Sequence, residues 1–236
     1  MTTPLGARKD RAFRALIDSC AVSMRRGQHV VLWGPRGSGK TTLLQAVLTE
    51  LGDIHCALSA NTHTLDDITR ALERAYTEVP TQGLKRRAAR ARLWSAADAA
   101  PGCLLLDHVT RVPAAMKGWL RRLRGGVVGV MLAVDVDSPR ERERLRALKI
   151  GSIAVRMPPT AVGTLSRLLM TAWTHSPTLP LSTPARRTLV RAARGRPGWL
   201  LQCVALAADP RYWEDGRLKT AGLVLDTEMR LRAVQV

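Results

Sequence analysis

The sequence predicts an α/β fold: a five-stranded parallel sheet with helices on its faces, followed by a smaller helical lid subdomain. Three observations carry this. Short apolar runs rich in β-branched residues alternate with helical patterns between residues 29 and 157, as parallel strands joined by helices require. After Pro158-Pro159 no strand pattern remains and only helical periodicity continues. At 236 residues and 46% hydrophobic content, the chain can bury the core of one domain plus an appendage. The expected division is residues 1–159 for the α/β core with an N-terminal helix, and residues 160–236 for the lid.

Residues 8–26 read as an amphipathic helix with Phe13, Leu16, Ile17 and Val22 on its apolar side. His29-Val30-Val31-Leu32-Trp33 reads as the first strand, and Leu43, Leu44, Val47, Leu48 and Leu51 recur at helical spacing after it. Strand two is expected over 53–59. A helix follows with Leu65, Ile68, Leu72, Ala75 and Tyr76 on one face and Thr64 as N-cap. An arginine-dense helix spans 84–100, strand three 102–109, a helix marked by Met116, Trp119, Leu120 and Leu123 comes next, and strand four spans 127–136. Ser138-Pro139-Arg140-Glu141 combines capping-box residues with a proline in the first turn. Strand five is expected over 152–157, and lid helices near 160–174, 184–194, 197–208 and 218–233.

Between strand one and its helix stands Gly34-Pro35-Arg36-Gly37-Ser38-Gly39-Lys40-Thr41, followed by Thr42. The spacing fits G-x-x-x-x-G-K-[ST], in the strand–loop–helix context that gives the motif meaning. The glycines let backbone N–H groups turn inward at a helix N-terminus, which favours a polyphosphate. Lys40 would reach the β and γ phosphates, and the Thr41 hydroxyl would ligate Mg²⁺.

A second acid for the Mg²⁺ shell belongs at the C-terminal end of a neighbouring buried strand. Cys103-Leu104-Leu105-Leu106-Asp107 supplies it: four apolar residues, then a carboxylate. His108 comes next, where a glutamate base often stands. A neutral imidazole accepts a proton near pH 7. Three readings stand: slow hydrolysis assisted by His108, a base supplied from elsewhere, or binding with little turnover. Asp135, at the end of strand four, reads either as a γ-phosphate sensor or as a turn residue. Asn61, after strand two, reads as an orienting residue or a turn residue.

These motifs together resemble the AAA+ and STAND-type ATPases, particularly compact bacterial ones related to replication initiators and to transposition ATPases of the phage Mu B type. The resemblance covers about residues 8–208 and includes the lid segment Ala193-Arg194-Gly195-Arg196-Pro197-Gly198-Trp199-Leu200-Leu201-Gln202. It implies ATP and Mg²⁺ as cofactors, sheet order 5-1-4-3-2 and a nucleotide between core and lid. The chain departs from the pattern in three places. His108 replaces the usual glutamate, Asp135 stands where Asn, Ser or Thr is usual, and Gly198 stands where many relatives carry a lid arginine. Arg194 and Arg196 are the nearby substitutes. Arg140, Arg142, Arg144 and Arg146 are arginine-finger candidates, or else one exposed ion-paired helix with Glu141 and Glu143.

The net charge is +18, from 37 basic and 19 acidic residues. That field favours a polyanionic partner. Lys85, Arg86, Arg87, Arg90 and Arg92 lie within eight residues, and Lys117, Arg121, Arg122 and Arg124 form a second cluster. Spread over helices, such residues suit backbone phosphates rather than base reading. Two functions follow. One is an ATP-dependent switch with slow or partner-stimulated hydrolysis that self-associates on ATP and acts on DNA. The other is a nucleotide-binding signalling or scaffold module that hydrolyses little and meets an acidic protein. No stretch of 18 apolar residues occurs, so no membrane helix is expected. The N-terminus lacks a signal-peptide pattern, and four scattered cysteines suit a reducing compartment, so a cytoplasmic protein is expected.

Overall fold

The computed structural model describes residues 11–52, 55–60, 62, 64–100, 102–109, 118, 129–138, 141, 143, 146, 152–175 and 179–233. Two compact units emerge. One comprises Arg11–Gly34 with Lys40–Arg156, and the other takes Pro35–Gly39 with the segment from Met157 onward.

The first unit is built on a five-stranded sheet of β1 (Val30–Gly34), β2 (Cys56–Ser59), β3 (Cys103–Leu106), β4 (Gly129–Asp135) and β5 (Ile153–Arg156). Their order is β2-β3-β4-β1-β5 and every pairing is parallel. This is the expected order 5-1-4-3-2 read from the other edge. Among the described residues, its helices include α1 (Arg11–Arg25), α2 (Lys40–Glu50), α3 (Leu65–Ala75) and α4 (Arg86–Ala99). Alternate strand residues share a face. Val31, Leu104, Leu106, Val130, Leu132 and Val134 form one buried cluster with Ile68, Leu72, Leu93 and Trp94 of α3 and α4. Each fully buried leucine there contributes about 1.5–3 kcal/mol.

Local chemistry fixes the helix starts. Thr64 caps α3 through a reciprocal box: its hydroxyl accepts the Asp67 N–H at 3.3 Å, and its own N–H donates to Asp67 Oδ2 at 2.8 Å. The Ser138–Glu141 box forms as well, with the Glu141 N–H on Ser138 Oγ at 3.3 Å and the Ser138 N–H on Glu141 Oε2 at 2.8 Å. One expected face is corrected. The buried stripe of α1 is Ile17, Cys20, Ala21 and Met24, whereas Val22 is 45% exposed. The helix expected around Met116–Leu123 lies outside the described residues, apart from Gly118.

The second unit holds α5 (Val162–Thr174), α6 (Thr183–Ala193), α7 (Pro197–Ala207) and α8 (Thr220–Ala233). Leu165, Leu169, Trp173, Leu189, Trp199, Leu200 and Leu223 are among its core. The expectation that only helices follow Pro159 is corrected here. Trp213–Glu214 (β6) and Arg217–Leu218 (β7) pair antiparallel. The turn residues Asp215 and Gly216 have φ of 47° and 72°, as a type I′ hairpin turn needs.

Candidate functional site

In the first unit, β1 ends at Gly34, and α2 begins at Lys40. Parallel pairing sets Gly34 opposite Asp135 at the C-terminal end of β4. The Gly34 carbonyl accepts the Val136 N–H at 3.0 Å and the Lys40 Nζ at 3.0 Å. Lys40 Nζ also lies 2.6 Å from Asp135 Oδ1, with both side chains more than nine-tenths buried. The first residues of α2, Lys40, Thr41 and Thr42, present backbone N–H groups that have no partner within the helix. Thr41 and Thr42 are half-buried.

Asp107 follows β3 directly and is 1% exposed. Its N–H donates to Ser59 O at 2.9 Å, and its Oδ1 accepts the His108 N–H at 2.9 Å. Its Oδ2 is buried and accepts no hydrogen bond from the described residues. His108 adopts φ 51°. Its ring reaches Asp135 Oδ2 through Nδ1 and Asp107 Oδ2 through Nε2, both at 3.8 Å. The Asp135 carboxylate holds His108 above the usual histidine range, against the opposing pull of burial. Burial alone would push Asp135 up, but His108 and Lys40 outweigh it and hold the carboxyl at about 2. The set comprises a buried ammonium, N–H donors at a helix start and a carboxylate oxygen with no hydrogen-bond donor. It suits a polyphosphate with a hard cation.

Residues 23–135 match the profile of the AAA domain family. That match covers just under half of the chain. Its fold is shared with solved structures at low identity. Cdc6p from Pyrobaculum aerophilum superposes with TM-score 0.54 at 14% identity, covering 84% of this chain and 60% of that one. The AAA domain of FIGL-1, solved with ADP, gives 0.53 at 13%, covering 97% and 83%. PCH-2 of C. elegans gives 0.53 at 14%, covering 94% and 69%. The chain thus spans well under two thirds of the Cdc6p chain. No curated protein matches it at the sequence level. The matched segment contains the glycine loop Gly34–Thr41 and, just after β3, Asp107.

The middle of that loop, Pro35–Gly39, belongs with the second unit. Gly37 and Gly39 have φ of 73° and 93°, a region that side chains disfavour. The Gly37 carbonyl accepts the Gly198 N–H at 2.8 Å. A Cβ on Gly198 would stand 3.0 Å from Gly37 Cα. A side chain at position 198, where the resemblance expects a lid arginine, would therefore press on the Gly37 backbone. Ser38 is buried, and its N–H donates to Pro35 O at 3.2 Å. Arg36 donates to Leu231 O at 2.8 Å and to Arg232 O at 3.1 Å. Of the two substitute arginines, Arg196 is engaged structurally: it pairs with Glu228, donates to Ala193 O and lies over the Trp199 ring. Arg194 is exposed, in a left-handed cap.

Lys85, Arg86, Arg87 and Arg92 are exposed on and beside α4, and Arg90 is half-buried. The N-cap Lys85 supplies no side-chain bond, and no acid stands in the first turn. Arg86 lies 4.0 Å from Asp66 and 3.9 Å from Glu73, acids that the local sequence around the cluster does not contain. Arg92 donates to Pro80 O. Arg146 is exposed. Asn61, Lys117, Arg121, Arg122, Arg124, Arg140, Arg142 and Arg144 lie outside the described residues. The first unit also contains a link that sequence reading missed, the Lys40–Asp135 ion pair. Register alone reveals it.

Proposed function

We propose that this chain is an ATP-binding switch whose Mg²⁺-dependent hydrolysis is slow or partner-stimulated, and that it acts on or with DNA. The observation that carries the nucleotide reading is Asp107 Oδ2, buried without a donor among the described residues, on the same sheet edge as the loop lysine. Gly34, Pro35, Arg36, Gly37, Ser38, Gly39, Lys40, Thr41 and Thr42 would hold the phosphates, and Thr41 and Asp107 would hold Mg²⁺. The metal would supply Lewis-acid stabilisation of phosphoryl oxygens. His108 is the candidate base. Its raised pKa leaves less neutral imidazole near pH 7, which supports slow turnover. Lys40→Ala tests the reading: it should abolish the ATP-induced rise in melting temperature, and an unchanged rise would remove the loop from the function.

The DNA part rests on the exposed basic residues of α4 at a helix start with no side-chain cap, which suits phosphate oxygens. The second reading, a scaffold that meets an acidic protein, draws on Arg86, which already faces two carboxylates. DNA binding that ATP strengthens and salt weakens separates the two. Self-association on ATP completes the switch, and size-exclusion chromatography with ATP, ADP and DNA checks it. The division at residue 159 and the cytoplasmic setting belong to the same proposal, the latter resting on the scattered cysteines.

A further inference from the structure

Asp135 is an acid at a strand end where a neutral polar residue would serve to contact phosphate without competing for its cation. Its position is not a rotamer accident. The β1–β4 register sets it opposite Gly34, the residue at which the loop begins. Lys40 then spans from the helix start to two acceptors, Gly34 O at 3.0 Å and Asp135 Oδ1 at 2.6 Å. Both members of the ion pair are more than nine-tenths buried, where charges are screened far less than at the surface.

We infer that Asp135 is an internal competitor of the nucleotide for Lys40, and that it biases the site toward the diphosphate over the triphosphate. The inference rests on the nucleotide-binding reading above. A phosphate chain at this loop needs the ammonium that Asp135 holds. Each added phosphate charge also approaches the Asp135 carboxylate. The neighbouring charges sharpen the effect. Asp107 adds a second carboxylate, and the His108 ring lies 3.8 Å from Asp135 Oδ2, 47% exposed. When Lys40 turns to phosphate, His108 Nδ1 remains 3.8 Å from Asp135 Oδ2. Lys40, Asp135 and His108 therefore form a short relay from the loop to the surface. A neutral Asn at 135 would keep the shape and remove the competition.

The test is isothermal titration of wild type, Asp135→Asn and Lys40→Ala with ADP and with the non-hydrolysable β,γ-imido triphosphate, first in EDTA and then with Mg²⁺. Wild type should bind the diphosphate at least as tightly as the triphosphate analogue in EDTA. Asp135→Asn should tighten the analogue by about tenfold or more, as expected for removing a close buried charge interaction, and tighten ADP less. A folded Asp135→Asn that binds the analogue no better than wild type overturns the inference. If that variant does not fold, the wild-type ratio decides: a tenfold preference for the triphosphate in EDTA overturns it as well. Loss of binding in Lys40→Ala shows that the loop reading stands whatever Asp135 does. If wild type binds neither nucleotide, the loop reading fails and this inference fails with it.

Discussion

Replacing Gly37 with alanine should destabilise the second unit more than the same change at Gly83, although both glycines have nearly the same backbone conformation. Their φ angles are 73° and 77°. The left-handed strain of an alanine, about 1–2 kcal/mol, is common to both, as is the partly offsetting loss of unfolded-state entropy, about 0.4–1 kcal/mol. The surroundings differ. A Cβ at Gly83 meets nothing within 4 Å, whereas one at Gly37 stands 2.7 Å from Trp199 N and 3.3 Å from Gly198 C. These are backbone atoms of α7, which cannot rotate away. Overpacking of this kind costs about 1–3 kcal/mol, and stretching the Gly198 N–H bond to Gly37 O removes part of another 0.5–1.5 kcal/mol or so. The expected totals are about 2–4 kcal/mol for Gly37→Ala and about 1 kcal/mol or less for Gly83→Ala. At about 2–4 °C per kcal/mol for a chain of this size, the melting temperatures should fall by about 4–16 °C and by no more than about 4 °C. Calorimetry measures both. Trp173, Trp199 and Trp213 sit in the second unit, so fluorescence should report the Gly37 loss early. Two variants melting within a degree of each other would refute the close contact between the loop and α7.

His108→Glu should raise ATP turnover, since it restores a carboxylate base where Asp135 holds the histidine's pKa up; general bases contribute about 10²–10⁴-fold, so steady-state phosphate release should show it, and equal rates would place the base elsewhere. The acid limb of stability should depend on Asp135. Its carboxyl is lowered from 3.8 to about 2, so its contribution is complete above about pH 4 and is lost as pH falls toward 2. Asp135→Asn should remove that share of the acid limb in melts between pH 5 and 2, and unchanged pH dependence would contradict the pairing. Arg86→Gln, Arg87→Gln and Arg90→Gln together should flatten the slope of log K against log[salt] on duplex DNA by about two units. That is less than three full contacts would give, because Arg86 is shared with Asp66 and Glu73. A folded triple variant with the wild-type slope would remove α4 from DNA binding.

The parts legible in the sequence were those written in local spacing. The glycine loop, the apolar run ending in Asp107, the N-cap Thr64 and the capping box at Ser138 each occupy fewer than ten consecutive residues. The sheet order came from resemblance, because periodicity does not say which strands pair. The Lys40–Asp135 pair was hidden for the same reason: nearly a hundred residues separate its members, and only the β1–β4 register joins them. The hairpin at Trp213–Leu218 was overlooked although Asp215-Gly216 is a strong turn signal, since strands of two residues are too short to show alternation. On α1, the buried stripe is made largely of small residues and sulfur-bearing ones, so the bulkier Val22 drew attention to the wrong face. The contact between Gly37 and Gly198 involves no side chains and left no trace in residue type beyond glycine itself.

The clasp around the loop tip has a thermodynamic corollary. Arg36 satisfies two carbonyls at the C-terminal end of α8, and Gly37 receives the first turn of α7. The tip is therefore the place where the ends of two distant helices are tied off. Linkage makes such ties reciprocal. Any ligand that selects this loop conformation must firm the ends of α7 and α8 by the free energy it gains from that selection. Any contact that pulls on those helix ends must weaken the ligand by the same amount. Hydrogen exchange at the amides of Gly198 and the last turn of α8 is thus a gauge of loop occupancy, read at atoms that no phosphate touches.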